Sequence, residues 1–211
     1  MNMNKILKIV LIVLGIIFVI FAGLIIFEMS RPQISKKPAI YLYPTEDTQV
    51  SVQVNINGKM IKEIPKYGNG WNVFVTKEGL IDNKYDYLFY EAKLNKLELP
   101  VEGWVVAYSD LDNWFEINLI KLGLNEREKS QFKEYWLKEL PKSNYYEIKL
   151  LSKEFLQENM NLIVYPEPDS EIRVHFYFKP IRNHILINNP GIITPIRTGF
   201  TVVEWGGILD N

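Results

Sequence analysis

The sequence predicts an α+β chain in which an N-terminal transmembrane helix precedes a mainly-β, sandwich-like domain carrying a two-helix insertion. Three observations lead there. Residues 9–27 form an unbroken run of 19 uncharged residues. Several later segments alternate apolar and polar residues at period two, as half-buried strands do. Between them, over residues 111–140, the apolar period changes once to that of a helix.

Composition narrows the classes. The chain has 211 residues, 47% hydrophobic, 13% aromatic and 23% charged, with a formal net charge of −1. That suits one folded domain and excludes a disordered or collagenous chain. It contains no cysteine, which removes disulfides, thiolate metal sites, iron–sulfur clusters, cysteine nucleophiles and cysteine lipidation. His175 and His184 are the only histidines, and with no third ligand at a recognisable spacing no metal site is expected. The phosphate-cradling and nucleophile-elbow motifs are absent, so no cofactor is expected either.

The apolar run at residues 9–27 makes a helix of about 28 Å at the usual rise per residue, close to the hydrocarbon thickness of a bilayer. Phe27-Glu28-Met29-Ser30 offers no small-residue cleavage site, so the run reads as a retained signal-anchor whose partner is the lipid bilayer. Residues 1–8 then form a cytoplasmic arm, 28–37 a stalk, and 38–211 an extracytoplasmic domain at the cell envelope. The Lys and Arg count on the two sides is nearly balanced, and the shortness of the arm favours the N-in orientation. Residues 38–211 carry 19 basic and 24 acidic side chains, a net charge of −5. Such a domain is a poor partner for nucleic acid.

Ala39-Ile40-Tyr41-Leu42-Tyr43 is β-prone and stops at Pro44. Val50, Val52, Val54 and Ile56 alternate with polar residues, and Asn57-Gly58 follows, the pair preferred in two-residue hairpin turns. The spacing therefore predicts a hairpin whose second strand runs from Lys59 to Pro65. Residues 71–75, 87–92 and 104–108 read as further strands. Leu111, Phe115, Leu119 and Leu122 make the stripe of a first helix, with Asp110 or Asp112 as its N-cap and Gly123 closing it. Asn125 and Glu128 form a capping-box pair for a second helix with the stripe Phe132, Trp136 and Leu140. Strands resume at residues 146–150, 162–165, 172–179 and 200–205, and Gly206-Gly207 reads as their end.

Lys37-Pro38-Ala39-Ile40-Tyr41-Leu42-Tyr43-Pro44 resembles the start of the mature region in a group of uncharacterised bacterial membrane- or lipid-anchored proteins. Tyr85-Asp86-Tyr87-Leu88-Phe89-Tyr90-Glu91, Leu122-Gly123-Leu124-Asn125 and the terminal Gly199-Phe200-Thr201-Val202-Val203-Glu204-Trp205-Gly206-Gly207 fit the same group in order. Ala39 and Tyr90-Glu91-Ala92 depart from it slightly. The resemblance spans residues 37–207 and implies an exported, surface-anchored domain. The group has no established activity, so it supplies no functional residue.

Two kinds of site are legible. Glycoside hydrolysis needs two carboxylates flanking a sugar, and Glu204 and Glu91 are the candidates, with Asp110 and Asp112 better explained as helix caps. Glu204 shares a strand face with Phe200 and Val202, where desolvation would raise its pKa as an acid catalyst requires; pairing with Arg173, Arg182 or Arg197 is the plainer reading. His175 alternates with apolar residues and is expected on a solvated face with Arg173 and Tyr177. Aromatic residues offer the other site: Tyr41, Tyr43 and Trp205 are candidate binding residues, both tyrosines facing outward if Ile40 and Leu42 face the core. A non-enzymatic binding module for an envelope protein or glycan is therefore expected first, an envelope glycan hydrolase second, and a scaffold assembling through an open strand edge third.

Overall fold

The computed structural model describes residues 11–21 and 33–210. The chain divides into two units, residues 1–32 and 33–211. In the first, residues 11–21 are helical. Among the described residues no helix is long and apolar enough to cross a membrane, so the expected α+β chain headed by a transmembrane helix is corrected to a mainly-β fold. A crossing helix needs about 20 residues, and the rest of the run at 9–27 lies outside the described residues, as do the arm at 1–8 and the start of the stalk.

The second unit has two sheets. The larger has seven strands in the order β3-β5-β1-β10-β9-β7-β6 and the smaller three in the order β4-β2-β8. They are β1 (Gln33–Tyr43), β2 (Thr48–Ile56), β3 (Gly58–Ile64), β4 (Trp71–Val75), β5 (Leu88–Leu94), β6 (Trp104–Ala107), β7 (Tyr145–Leu150), β8 (Met160–Tyr165), β9 (Ser170–Ile181) and β10 (Thr201–Leu209). All pairings are antiparallel except β9 with β10. β1 begins at Gln33, so its first residues occupy part of the segment read as a stalk. Three α-helices interrupt the strands of this unit, α1 (Leu111–Lys121) and α2 (Glu126–Glu139) between β6 and β7 and α3 (Lys153–Asn159) between β7 and β8.

The large sheet is the middle layer. On one face Ile40, Leu42, Leu88, Tyr90 and Val202 pack against Val50, Val52, Trp71, Val73 and Leu162 of the small sheet. On the other, Tyr41, Val174, Phe176, Phe178 and Trp205 pack against Phe115, Leu119, Phe132 and Trp136 of α1 and α2. The capping box forms as expected: Glu128 N–H donates to Asn125 Oδ1 and Asn125 N–H to Glu128 Oε2, both at 2.9 Å. Asp110 stands at the first helix's N-cap position without a capping bond, and Asp112 pairs with Lys133 instead (3.0 Å).

The hairpin is not formed. β2 pairs with β4 and β8, whereas β3 pairs with β5 in the other sheet. Asn57-Gly58 is a corner between sheets. Asn57 N–H donates to Asn159 O and its carbonyl accepts from Asn95 N–H, each at 3.0 Å, tying the corner to the ends of α3 and β5. Gly58 is required by close approach: a Cβ there would lie 2.0 Å from Lys93 O. Gly206 and Gly207 likewise fall inside β10. A Cβ on Gly207 would meet the Trp136 ring at 2.7 Å, and one on Gly206 would meet Pro38 Cα at 3.1 Å. The end motif of the sequence thus pairs with its start motif, Lys36 opposite Gly207 and Ala39 opposite Trp205.

Gly68 gives the comparison that tests the corner. It has φ +59° with nothing within 4 Å of an added Cβ, so Gly68→Ala costs only the backbone strain, about 1–2 kcal/mol. Gly58→Ala must also separate β3 from β5 and is expected to cost at least about twice that, each kcal/mol lowering the thermal midpoint by about 2–4 °C. Equal shifts for the two variants in thermal unfolding would contradict the corner.

Candidate functional site

Glu204 is fully buried in β10, between β1 and β9. Its carboxylate accepts from Tyr90 OH (2.8 Å), Arg173 Nε (2.7 Å) and His175 Nε2 (2.9 Å). Burial alone would raise its pKa, but the Arg173 charge, His175 and the Tyr90 hydroxyl overcome that and lower it to about 2. The direction is opposite to what an acid catalyst needs. An ionised carboxylate only accepts, so His175 Nε2 carries the donated proton. Burial also pushes the Tyr90 hydroxyl up, with the Glu204 charge adding to it, which keeps it a donor.

This network overturns two expectations, a solvated His175 and a Glu204–Glu91 catalytic pair, and agrees with the plainer reading of Glu204, its pairing with Arg173. His175 is buried, not solvated, because β9 lies in a sheet covered on both faces and the polar side of its alternation meets the second sheet instead of water. Glu204 is a paired core carboxylate. Glu91 cannot be its catalytic partner: Tyr90 and Glu91 are consecutive on β5 and project to opposite faces, so the sheet itself separates Glu91 from the carboxylate that Tyr90 touches. Two of the three aromatic candidates are corrected too. Tyr41 and Trp205 are fully buried beneath α2, Tyr41 OH donating to Gln131 Oε1 at 2.5 Å and Trp205 lying 5.3 Å from Phe132, centroid to centroid. Tyr43 is half-buried, with the Arg197 guanidinium 5.7 Å over its ring. His184 is exposed. Among the described residues no cluster of three or more potential metal ligands forms.

An open groove lies elsewhere, where the helical layer stops. α1 and α2 pack over the large sheet from β6 to β1 and do not extend over its β5–β3 end. The resulting cavity measures about 780 Å³. Gln131, Tyr135 and Glu139, spaced four apart on α2, form one wall. Phe89 and Glu91 of β5 with Lys62 and Ile64 of β3 form the floor, each pair two apart on its strand. Lys36 and Lys37 enter from β1, and residues 84–87 close one end.

Ion pairs and rings order its polar groups. Lys36 pairs with Glu139, and Asp86 with Arg127. Gln131 Nε2 also donates to Asp86 (3.4 Å). The Lys37 ammonium stands 4.5 Å from the Tyr87 centroid and 4.6 Å from that of Phe89, Lys62 5.1 Å from Phe89, and Lys84 4.9 Å from Tyr85. Burial, with Glu139 and Glu91 nearby, pushes the Tyr135 hydroxyl up, so it remains a donor. Of the residues singled out from sequence, only Glu91 reaches this groove. The resemblance segments at 37–44 and 85–91 contain Lys37, Tyr87 and Phe89, but nothing local in them marks a cavity.

No family model matches the chain, and no solved structure matches it. A protein of Butyrivibrio fibrisolvens described as an uncharacterised protein in the bglA 3′ region is 46% identical over 61 residues, which is 26% of this chain. The chain spans 64% of that relative's length.

The Glu204 network yields a pH dependence. Its folded-state pKa lies below the ordinary value of 4.5, so its stabilisation is fully present above about pH 4.5 and is lost as pH falls towards 2. The loss is on the order of 3 kcal/mol. Glu204→Gln leaves Arg173 buried without a counter-charge and is expected to destabilise by about 3–5 kcal/mol at neutral pH, with a flatter acid limb. Denaturant unfolding of both proteins between pH 2 and 7 checks this; an unchanged acid limb in the variant contradicts it.

Proposed function

We propose that the chain is a binding module whose ligand is a glycan seated in the groove between α2 and the β5–β3 end of the large sheet. The observation that carries this reading is the groove's construction. Ring faces and polar tips from four elements converge on an open cavity in the range of size that holds small ligands. Tyr135, Tyr87 and Tyr85 offer apolar ring surface with hydroxyl tips, the combination that stacks on a pyranose and satisfies its hydroxyls. Two of the groove's three carboxylates are engaged in ion pairs, which leaves Glu91 without a second free carboxylate for acid–base work on a glycosidic bond. The resemblance of residues 37–207 to surface-anchored proteins supports the cell envelope as the source of the glycan.

A scaffold assembling through an open edge is the weaker reading. β3 is an edge of the large sheet and exposes Ile61, but it also carries Lys59, Lys62 and Glu63, charges of the kind that keep edge strands from pairing.

Retention of the full chain on an array of oligosaccharides tests the proposal. Tyr135→Ala is expected to weaken binding of a retained glycan by about tenfold, on the order of 1–1.5 kcal/mol for a lost aromatic face. Tyr165→Ala, at an exposed position on β8 outside the groove, leaves it unchanged. Retention of no glycan, or equal loss in both variants, contradicts the reading.

A further inference from the structure

We infer that the glycan bound in the groove carries an oxyanion, a carboxylate or a phosphate, and that Lys37 is the residue that receives it. The inference rests on the groove reading above and adds the chemistry of its ligand.

Lys37 has φ +56°, in the left-handed region that side-chain-bearing residues rarely adopt, and it does so within an interior strand of the sheet. The register of β1 breaks there on both sides, between Lys36 and Ala39 against β10 and between Ser35 and Ala39 against β5. Bulges of this kind re-aim a side chain, and backbone strain persists only where the surroundings impose it. Here Gly206 makes room for it, since a Cβ there would stand 3.1 Å from both Pro38 Cα and Pro38 N. The strained turn delivers the Lys37 side chain into the groove.

What it delivers is a cation with spare donors. Lys37 Nζ donates to Tyr87 OH at 2.7 Å and lies over the Tyr87 and Phe89 rings. An ammonium has three donors, and a ring face engages the charge without using one of them. Among the described residues no carboxylate lies within 4.0 Å of Lys37 Nζ, whereas neighbouring Lys36 is paired with Glu139. Of the acids around it, Asp86 is held by Arg127 and Gln131 and Glu139 by Lys36, while Glu91, opposite Lys62 in the β3–β5 register, and Glu134 on α2 both stay beyond ion-pair distance of Lys37. Lys84, over Tyr85, adds a second amine at the groove's end. The groove is therefore locally cationic in a domain of net charge −5 over residues 38–211. Stacking a neutral sugar needs ring faces alone; a strained backbone that aims an unpaired ammonium between them fits a charged one.

The test uses the full chain and an array holding neutral, uronate-bearing and phosphate-bearing oligosaccharides, followed by titration calorimetry on each retained glycan and its carboxyl-reduced or dephosphorylated twin. The acid-bearing form is expected to bind about tenfold more tightly at low ionic strength, with the preference shrinking as salt is added. Which acid series is retained identifies the oxyanion. Lys37→Met is expected to bring the ratio to about one, and Lys37→Gly, which suits the left-handed backbone, to do the same with no fall in thermal midpoint. Equal binding of the acidic and neutral twins, or variants that keep the full preference, overturns the inference and leaves the glycan reading standing. Retention of no glycan overturns both.

Discussion

The large sheet must be covered on both faces, and its two covers differ in width. The small sheet packs on one face over β5, β1, β10 and β9, while α1 and α2 pack on the other from β6 as far as β1. The consequences differ along the sheet. Where both covers are present, β10 buries all nine of its residues, and any polar side chain there must find its partners inside. Glu204 does so with Arg173, His175 and Tyr90. Where the helical cover ends, the same alternation leaves Phe89, Glu91, Lys62 and Ile64 as the floor of a cavity. A buried ion network and an open groove thus arise from one mismatch of layers.

β1 and β10 hold these two regions together. They are sequence-remote strands paired antiparallel, and each carries one of the motifs by which the chain resembles surface-anchored proteins. Gly207 admits the Trp136 ring and so seats α2; Gly206 admits the Lys37–Pro38 bulge. Replacing either glycine would disturb the groove from beneath without touching its lining. The long connection from β9 to β10 is fixed to the helices by Arg197, which donates to Gly123 O at 2.7 Å and pairs with the buried Glu128.

Local signals in the sequence were legible where local bonds decide the outcome. The Asn125–Glu128 capping box, Gly123 at the end of α1 (φ +94°) and the stripe Phe132–Trp136–Leu140 all follow from residues three or four apart. Asn57-Gly58 shows the limit. Its chemistry marks a change of direction, but whether the next strand pairs with the last is decided by β5, more than thirty residues away. Period-two alternation separates the two faces of a strand without saying whether both are covered, which is why Tyr41 and His175 read as solvent-facing and are buried. The apolar run at 9–27 fits a spanning length by residue count, and its described part, residues 11–21, is helical. The groove was illegible for a different reason: it exists because α2 ends over β1, a property of packing that no motif encodes.

Hydrogen–deuterium exchange of the full chain, with and without a pool of acidic oligosaccharides, tests the central claim that ligand enters where the helical cover stops. Amides of residues 36–38, 84–91 and 131–139 should exchange more slowly with the pool present, while β6 and β7, at the far end of the sheet, keep their rates. Protection confined to those covered strands, or exchange unaltered throughout, would contradict it.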